Sequence, residues 1–425
     1  MKVLHVAYSD IGGGAARAAY RIHRSLVEYG SEFGISSGMR VLDKRTRENS
    51  VYGGRPAKEF FLWPAIRQRI NQKQFRSYKI KPSAFTLASL PTGLGKELNA
   101  SDADILNLHF LGNDTLSIEE IGSLNKPTVW RLPDMWAFCG AEHYVDVMND
   151  GSDRFINGYL KSNDSNLKSG KDFNRKVWER KYKSWKIPIH IISPTNWLAD
   201  CVRKSYLMKD WPVTVIPTAI DLQLWKPKDK AHVRGALGLP LDVPVILFGA
   251  MGGAADPRKG GNLLFEALGK LKTLTNGSHL ENIELVVFGQ SKPDKNPGFD
   301  FPVHYMGHLN DDITLSMLYA AADVMVVPSR QDNLPGTALE SLACGTPVVS
   351  FQIGGLPDLI EHKQNGWMAK AFDATDMAEG ILWILSDKER YSQLSLSARR
   401  LAEDRYHPRL IASKYAELYH DILYE

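Results

Sequence analysis

Short apolar, β-branched runs recur along the chain and alternate with stretches of helical period, and this alternation limits the fold more than any other feature. "KVLHVAY", "DILNLHF", "PTVWRL", "PIHIISP" and "VTVIP" lie before about residue 218, and "VPVILFGA", "IELVVFG", "DVMVVP" and "TPVVSF" follow. Several are continuous rather than alternating, the pattern of strands covered on both faces. Between them apolar residues return every three to four positions, as at Ala15, Ala19, Ile22 and Leu26. The alternation predicts parallel sheets with helices on both sides.

A chain of 425 residues is too long for one ordinary core. The stretch "VIPTAIDLQLWKPKDK", 215–230, carries Pro217, Pro227 and then charge, and reads as a linker. The expected architecture is α/β: two Rossmann-like, doubly wound domains over 1–218 and 219–405, facing each other across a cleft at the C-terminal edges of their sheets. The segment 406–425 is an amphipathic helix, with Leu410, Tyr415, Leu418 and Ile422 on one face, expected to pack back on the first domain. The net charge of +4 is too mild for a strongly polyanionic partner, and no recognised nucleic-acid motif accompanies it. Three cysteines (Cys139, Cys201, Cys344) without a CxxC pair fit a reducing compartment rather than a disulfide framework or structural zinc. The start runs directly into a strand and no apolar run approaches the roughly 20 residues of a membrane span. The expectation is a cytoplasmic protein, at most attached to the inner face of a membrane.

The richest chemistry lies in "PSRQDNLPGTALESLACGTPVVSFQIGGLPDLI", 328–360. A strand ends at Val327, a polar loop follows, and a helix begins near Pro335-Gly336. Such a helix start aims backbone N–H groups and a positive dipole end outward, a ready anion site. Pro335 loses nothing there, because its missing N–H would be unpaired in any case. Asp332 and Glu340 lie eight apart, the first in the loop and the second in the helix.

This stretch resembles the signature of retaining glycosyltransferases of the GT-B fold, family 4, in which an acid is followed after seven residues by Glu, then "AxGxPVV" and "GGxP". Here these are Asp332, Glu340, "ACGTPVV" and "GGLPDLI", with Asp where the family more often has Glu. The resemblance implies a metal-independent hexosyltransferase whose donor is a UDP- or GDP-sugar and which needs no cofactor. It implies that Glu340 accepts hydrogen bonds from the ribose, that Asp332 lies by the sugar hydroxyls, and that N–H groups at Gly336 and Thr337, behind Pro335, bind the diphosphate.

Further matches follow. In "FGAMGGAADPRKGGNLLFEAL", 248–268, Lys259 with Arg258 resembles the family's basic pair on the pyrophosphate, where charge builds as the sugar departs. The family's Arg commonly lies nearer the strand, at the place of Ala250-Met251, and Arg258 is expected to substitute. GxxxxGK[ST] is absent, which excludes a Walker A loop. Gly307-His308-Leu309 resembles the turn that holds the base. In the first half, "NKPTVWRLPDMWAFCGAEHYV", 125–145, is similar to enzymes of colanic acid and other exopolysaccharide pathways. The family's His before Asp is Pro133 here, leaving Asp134 and His143 as the candidate catalytic groups, with His109 at the neighbouring strand end. The resemblance to retaining GT-B enzymes implies a front-face mechanism, in which the leaving phosphate oxygen takes the acceptor's proton and the protein supplies positioning and charge, so the missing His need not abolish transfer. Asp102 and Asp104 in "SDADIL" read as a strand-capping turn rather than a metal site, so no bound metal is expected.

Two stretches, 55–81 and 174–186, interleave Lys and Arg with aromatics. Such a surface suits an anionic membrane and a lipid-linked saccharide acceptor, and the competing reading is a solvated helix face with a few core aromatics. Finally, "DIGGGAAR" places three glycines between strand and helix. GxGxxG fails because Arg17 stands where Gly is required, so Gly13 and Gly14 are expected to let donor diphosphate or acceptor approach the backbone, with Gly12 as the turn. The expected function is retaining sugar transfer in surface polysaccharide assembly. A nucleotide-sugar epimerase or hydrolase, and a non-catalytic nucleotide-sugar-binding protein, are the competing readings.

Overall fold

A computed structural model of the chain describes residues 1–54, 69, 85–145, 153–160, 172–249, 256–293, 301–309 and 311–424. The basic stretch 55–81, apart from Arg69, and the Ala250-Met251 position fall outside the described residues. The chain divides into two compact units, residues 1–218 with 411–425, and residues 219–410.

Unit 1 is built on a seven-stranded, all-parallel sheet of order β3-β2-β1-β4-β5-β6-β7. Its strands are β1 (Lys2–Ser9), β2 (Ser36–Asp43), β3 (Val51–Gly53), β4 (Ile105–Leu108), β5 (Thr128–Arg131), β6 (His190–Ser193) and β7 (Val213–Val215). Val3 pairs with Ser37 on one side and Ile105 on the other, so the strand order reverses between β1 and β4. In such sheets ligands bind beyond the carboxyl ends of the strands flanking that reversal. Every side chain of β4 is buried, including Asn107, whose amide donates to Tyr419 Oη at 2.6 Å. Three indoles, Trp130, Trp136 and Trp185, meet edge to face in the core at ring separations of 5.3–6.3 Å.

Helix α1 (Gly14–Tyr29) buries Ala16, Ala19, Ile22 and Leu26, the face read from its apolar spacing with Ala16 in place of Ala15. Helix α2 (Phe173–Ser184) favours, for 174–186, the reading of a helix face with core aromatics over that of a surface stretch, and adds a buried lysine that neither reading held. Trp178, Lys181 and Trp185 are buried, and Tyr182 is left exposed. Period-3.6 spacing puts 178, 181 and 185 on one face, and that face meets the 136–140 turn through Lys181, Tyr159 through Trp178 and Trp130 of β5 through Trp185.

Unit 2 carries a second all-parallel sheet, of six strands in the order β10-β9-β8-β11-β12-β13. These are β8 (Val245–Gly249), β9 (Glu284–Phe288), β10 (Val303–Tyr305), β11 (Val324–Val327), β12 (Val348–Phe351) and β13 (Gly366–Ala369). Met325 pairs with Leu247 and with Val348, so the reversal falls between β8 and β11. All eight residues of β11 and β12 are buried, as their continuous apolar sequences require. After β8 comes α3 (Gly261–Thr275), and after β11 comes α4 (Gly336–Ala343).

The last helix, α5 (Pro408–Tyr424), starts in unit 2 and belongs to unit 1 from Ile411 onward. Its buried stripe is Ile411, Ala412, Tyr415, Ala416, Leu418 and Tyr419. Leu410 and Ile422, placed on that face by the sequence, are only half-buried. No helix of the described residues is long and apolar enough to cross a membrane.

Candidate functional site

The loops after β8 and β11 meet at the strand-order reversal of unit 2. Asp256 caps a single turn, Pro257–Lys259, by accepting from the Arg258 N–H at 3.0 Å. The turn ends on Gly260 at φ +68, where a Cβ would fall 1.9 Å from the Pro328 carbonyl oxygen. Only glycine lets the two loops close to this distance. The Arg330 N–H then donates to the Arg258 carbonyl at 2.8 Å, joining one loop to the other.

That closure brings Arg258, Lys259 and Asp332 together. Lys259 Nζ lies 2.6 Å from Asp332 Oδ2, and Arg258 Nη1 lies 3.7 Å from the same oxygen. Ser329 Oγ also donates to Oδ2, at 3.2 Å. Burial alone would push the Asp332 carboxyl up, but the charges of Lys259 and Arg258, with the bonds from Lys259 and Ser329, outweigh it and hold it below its usual range. The backbone of Asp332 is fixed by the "GGLP" glycines. Gly355 N–H donates to its carbonyl at 3.1 Å, and a Cβ on Gly354 (φ +53) would sit 2.1 Å from that oxygen.

Pro335 is the N-cap of α4, supplying no capping side chain, and the first turn holds no acid. Gly336 and Thr337 therefore stand at an uncapped helix start. Glu340 is buried, and its carboxylate turns back toward that start: a Cβ on Gly336 would lie 3.4 Å from Glu340 Oε1. Leu309 is half-buried against the core of unit 2, behind Gly307 at φ +64, whose carbonyl accepts from Gly289 N–H at 2.8 Å. Ser329 and the carbonyl-gripping role of Gly354 and Gly355 were not singled out from the sequence, although the Gly-Gly pair marks where a close approach occurs.

In unit 1 the glycine loop follows β1. Ser9 Oγ accepts from Gly12 N–H at 3.2 Å, and a Cβ on Gly12 would lie 2.9 Å from it. Gly13, at φ 101, is the N-cap of α1. Around Gly14 nothing comes within 4 Å of a Cβ. The turn glycine is thus the closely packed one, and Gly14 is open. Asp10 beside them accepts from the N–H groups of Ile11 at 2.9 Å, Arg45 at 3.0 Å and Thr46 at 2.8 Å. Burial raises its pKa and these bonds more than reverse that, leaving it lowered.

Past β4 and β5 a narrow recess is lined by His109, Phe110, Leu132, Pro133, Asp134 and His143, among others. Asp134 Oδ1 accepts from Trp136 N–H at 2.9 Å, and Oδ2 lies 2.7 Å from His143 Nδ1. A carboxylate only accepts, so Nδ1 carries the proton. Nε2 lies 2.8 Å from Thr86 Oγ1, whose hydroxyl serves as its donor. Asp134, His143 and Thr86 form one chain of hydrogen bonds, and nothing in the spacing of 57 residues between Thr86 and His143 announces it. His109 Nε2 is 2.9 Å from His5 Nδ1. Burial, with neighbouring charges, drives both imidazoles well below their ordinary pKa, so both are neutral.

Asp104 Oδ2 accepts from Lys2 N–H at 2.7 Å and Asp102 pairs with the Lys2 ammonium, so both acids tie down the start of β1. Among the described residues no group of three or more His, Cys, Asp or Glu is placed to hold a metal ion.

Residues 244–387 match the family model described as "Glycosyl transferases group 1". The D-inositol 3-phosphate glycosyltransferase of Saccharomonospora viridis is 30% identical over 227 residues, 50% of this chain and 51% of that protein. The chain thus spans about half the length of the curated relatives it matches. Among solved structures, the sucrose-phosphate synthase of Thermosynechococcus elongatus covers 99% of this chain and 98% of its own, at 17% identity and a TM-score of 0.64. Anabaena HepE in complex with UDP-glucose covers 99% and 100%, at 16% identity and a TM-score of 0.60. The fold is that of GT-B glycosyltransferases, with a Rossmann-like sheet in each of two units.

Proposed function

We propose that the chain is a retaining, metal-independent glycosyltransferase that moves a hexose from a UDP- or GDP-sugar to a saccharide or lipid-linked saccharide acceptor in surface polysaccharide assembly. One observation carries the reading: Lys259, Arg258 and Asp332 converge at the strand-order reversal of the unit whose residues 244–387 match the family model, with the uncapped start of α4 and the returned carboxylate of Glu340 following in the chain.

In this reading Lys259, Arg258 and the N–H groups of Gly336 and Thr337 take the diphosphate, whose charge grows as the sugar leaves. Glu340 takes the ribose hydroxyls, Asp332 the sugar hydroxyls, and the backbone around Leu309 the base. Unit 1 takes the acceptor. Asp134, held by His143, orients the acceptor hydroxyl while a phosphate oxygen removes its proton. Both imidazole nitrogens already have partners, so His143 acts by holding Asp134 rather than by abstracting the proton. Gly13 and Gly14 leave the backbone after β1 open to substrate. Exposed Tyr182, with the Lys186 ammonium 5.0 Å from its ring centroid, is a point of contact for an anionic membrane.

A thermal-shift panel of UDP-, GDP- and dTDP-sugars identifies the donor, and product analysis with added acceptor, with and without EDTA, identifies the reaction. Sugar moved to acceptor with the anomeric configuration kept is expected. Free sugar or an epimer alone, or nucleotide binding with no turnover, would sink the reading in favour of an epimerase, a hydrolase or a binding protein.

A further inference from the structure

Helix α2 sends Lys181 into the interior of unit 1, where it is fully buried. Its ammonium meets three backbone carbonyls: that of Trp136 at short range, Gly140 at 2.7 Å and Cys139 at 3.1 Å. The Trp136 ring covers it, with the centroid 3.9 Å away, and the Trp185 ring lies at 5.7 Å. Burial pulls the pKa of this lysine down. Three acceptors nevertheless require three N–H bonds, and a neutral amine has only two. The carbonyls hold the proton against that pull.

All three carbonyls belong to the turn that joins Asp134 to His143. Within the turn the bonds are local: Trp136 N–H to Asp134 Oδ1, Met135 N–H to the His143 carbonyl at 2.9 Å, and Cys139 N–H to the Met135 carbonyl at 3.0 Å. None of these local bonds fixes where the turn sits on the sheet. Thr86 holds one side of the turn, its carbonyl accepting from Trp136 Nε1–H at 2.9 Å and its N–H donating to the Ala141 carbonyl at 2.8 Å. Lys181 ties the other side to α2, and Asn174 of the same helix adds one bond, accepting from Ala141 N–H at 3.3 Å. Close packing at Gly140, where a Cβ would lie 2.6 Å from Asn174 backbone, keeps helix and turn in register.

We propose that Lys181 is the positioning residue of the Asp134–His143 pair, a buried ammonium around which the 136–140 turn folds and which thereby sets the carboxylate against the imidazole. This rests on the reading of that pair as the acceptor-side groups of sugar transfer. An uncharged side chain of the same length strands three carbonyls, and the turn must shift to reach other donors.

The test is Lys181→Met in the full chain, read in two ways. The first is the downfield resonance of the His143 Nδ1 proton, assigned with His143→Gln. The second is steady-state transfer with the donor that the wild-type chain turns over. The resonance is expected to vanish and kcat to fall by about 10²-fold, the usual penalty for a misplaced catalytic group, with donor KM within about threefold. Should the Met variant not fold, Lys181→Ala is examined with n-propylammonium, which is expected to restore the fold, the resonance and transfer together. A wild-type resonance and kcat in the Met variant would overturn the proposal. So would an Ala variant in which the amine restores the fold without the resonance, or restores nothing, since Lys181 would then serve the whole unit rather than the pair. A wild-type chain that transfers no sugar refutes the functional reading alone, because the resonance still decides the role of Lys181.

Discussion

Lys259 Nζ and Asp332 Oδ2 lie 2.6 Å apart, so the cation proposed for the donor diphosphate is already bonded to an acid from the neighbouring loop. Arg258 reaches toward the same oxygen. A diphosphate must compete with that carboxylate for both cations, while the sugar it carries offers hydroxyls to the acid in exchange. Removing the acid's charge therefore separates binding from turnover. In Asp332→Asn, UDP is expected to bind more tightly, by about tenfold or ~1.4 kcal/mol, while transfer falls by about 10²-fold. Calorimetry with UDP beside a transfer assay checks the opposite signs, and weaker UDP binding would place the diphosphate elsewhere.

Glu340 allows a second, independent test of the proposed donor site. Its buried carboxylate faces the start of its own helix, where a ribose would be read. Glu340→Ala removes a charged acceptor and is expected to weaken nucleotide binding by roughly 1.5–3 kcal/mol. Unchanged calorimetric affinity would show that the ribose lies away from α4.

Glycine substitutions should divide sharply. Gly354→Ala forces a Cβ against the Asp332 carbonyl at a positive φ, and Gly260→Ala does the same against the Pro328 carbonyl. Each is expected to lower stability by about 1–3 kcal/mol in urea unfolding and to disturb Asp332 or its loop. Gly14→Val meets no protein atom within 4 Å at its Cβ. It should melt within about 2 °C of wild type, as a surface change does, and lose transfer. Full activity there would return the glycine loop to the duty of a turn.

Acid should weaken unit 1 before carboxylates begin to protonate. Burial lowers the His23 pKa from 6.5 to about 4. Below pH 6.5 the unfolded chain binds a proton that the folded one refuses, so stability falls as pH drops from 6.5 toward 4. The loss from this residue is roughly 3 kcal/mol. Urea unfolding at pH 7 and pH 4.5 measures it; His5 and His109, which burial also keeps neutral, add to the same slope, so His23→Asn should reduce the difference by about that amount without abolishing it. An equal slope in that variant would mean that His23, bonded to Ser37 and Ser50 hydroxyls at 2.8 and 3.0 Å, is not the group responsible.

The loop and helix residues proposed for the donor could be placed beside one another because their spacing is local. Asp332, Pro335, Gly336 and Glu340 lie within nine residues, and a strand, loop and helix leave few ways to arrange them. Parallel sheets were legible from continuous runs such as "VMVV" in β11 for the same reason. What escaped is whatever depends on tertiary partners. Lys181 counts as surface charge in any reading of composition, because its three carbonyls come from 41 to 45 residues earlier in the chain. Thr86 has no mark at all until the fold sets it beside His143. The stripe of α5 was read rightly at Tyr415 and Leu418, while Leu410 and Ile422 are half-buried and Ile411 and Tyr419 complete the buried face, the latter with its hydroxyl accepting from its partner, the Asn107 amide.

That partner has a consequence for how the protein is made. Tyr419 follows Asn107 by 312 residues, an interval of about 15–60 s at ribosomal speeds of roughly 5–20 residues per second. All of residues 219–410 emerge in that time. Through it β4 carries a buried-to-be amide without its hydroxyl. Unit 1 is thus begun before unit 2 and completed after it, and a nascent chain stalled anywhere in unit 2 is expected to offer chaperones a sheet with all its strands but without its covering helix α5.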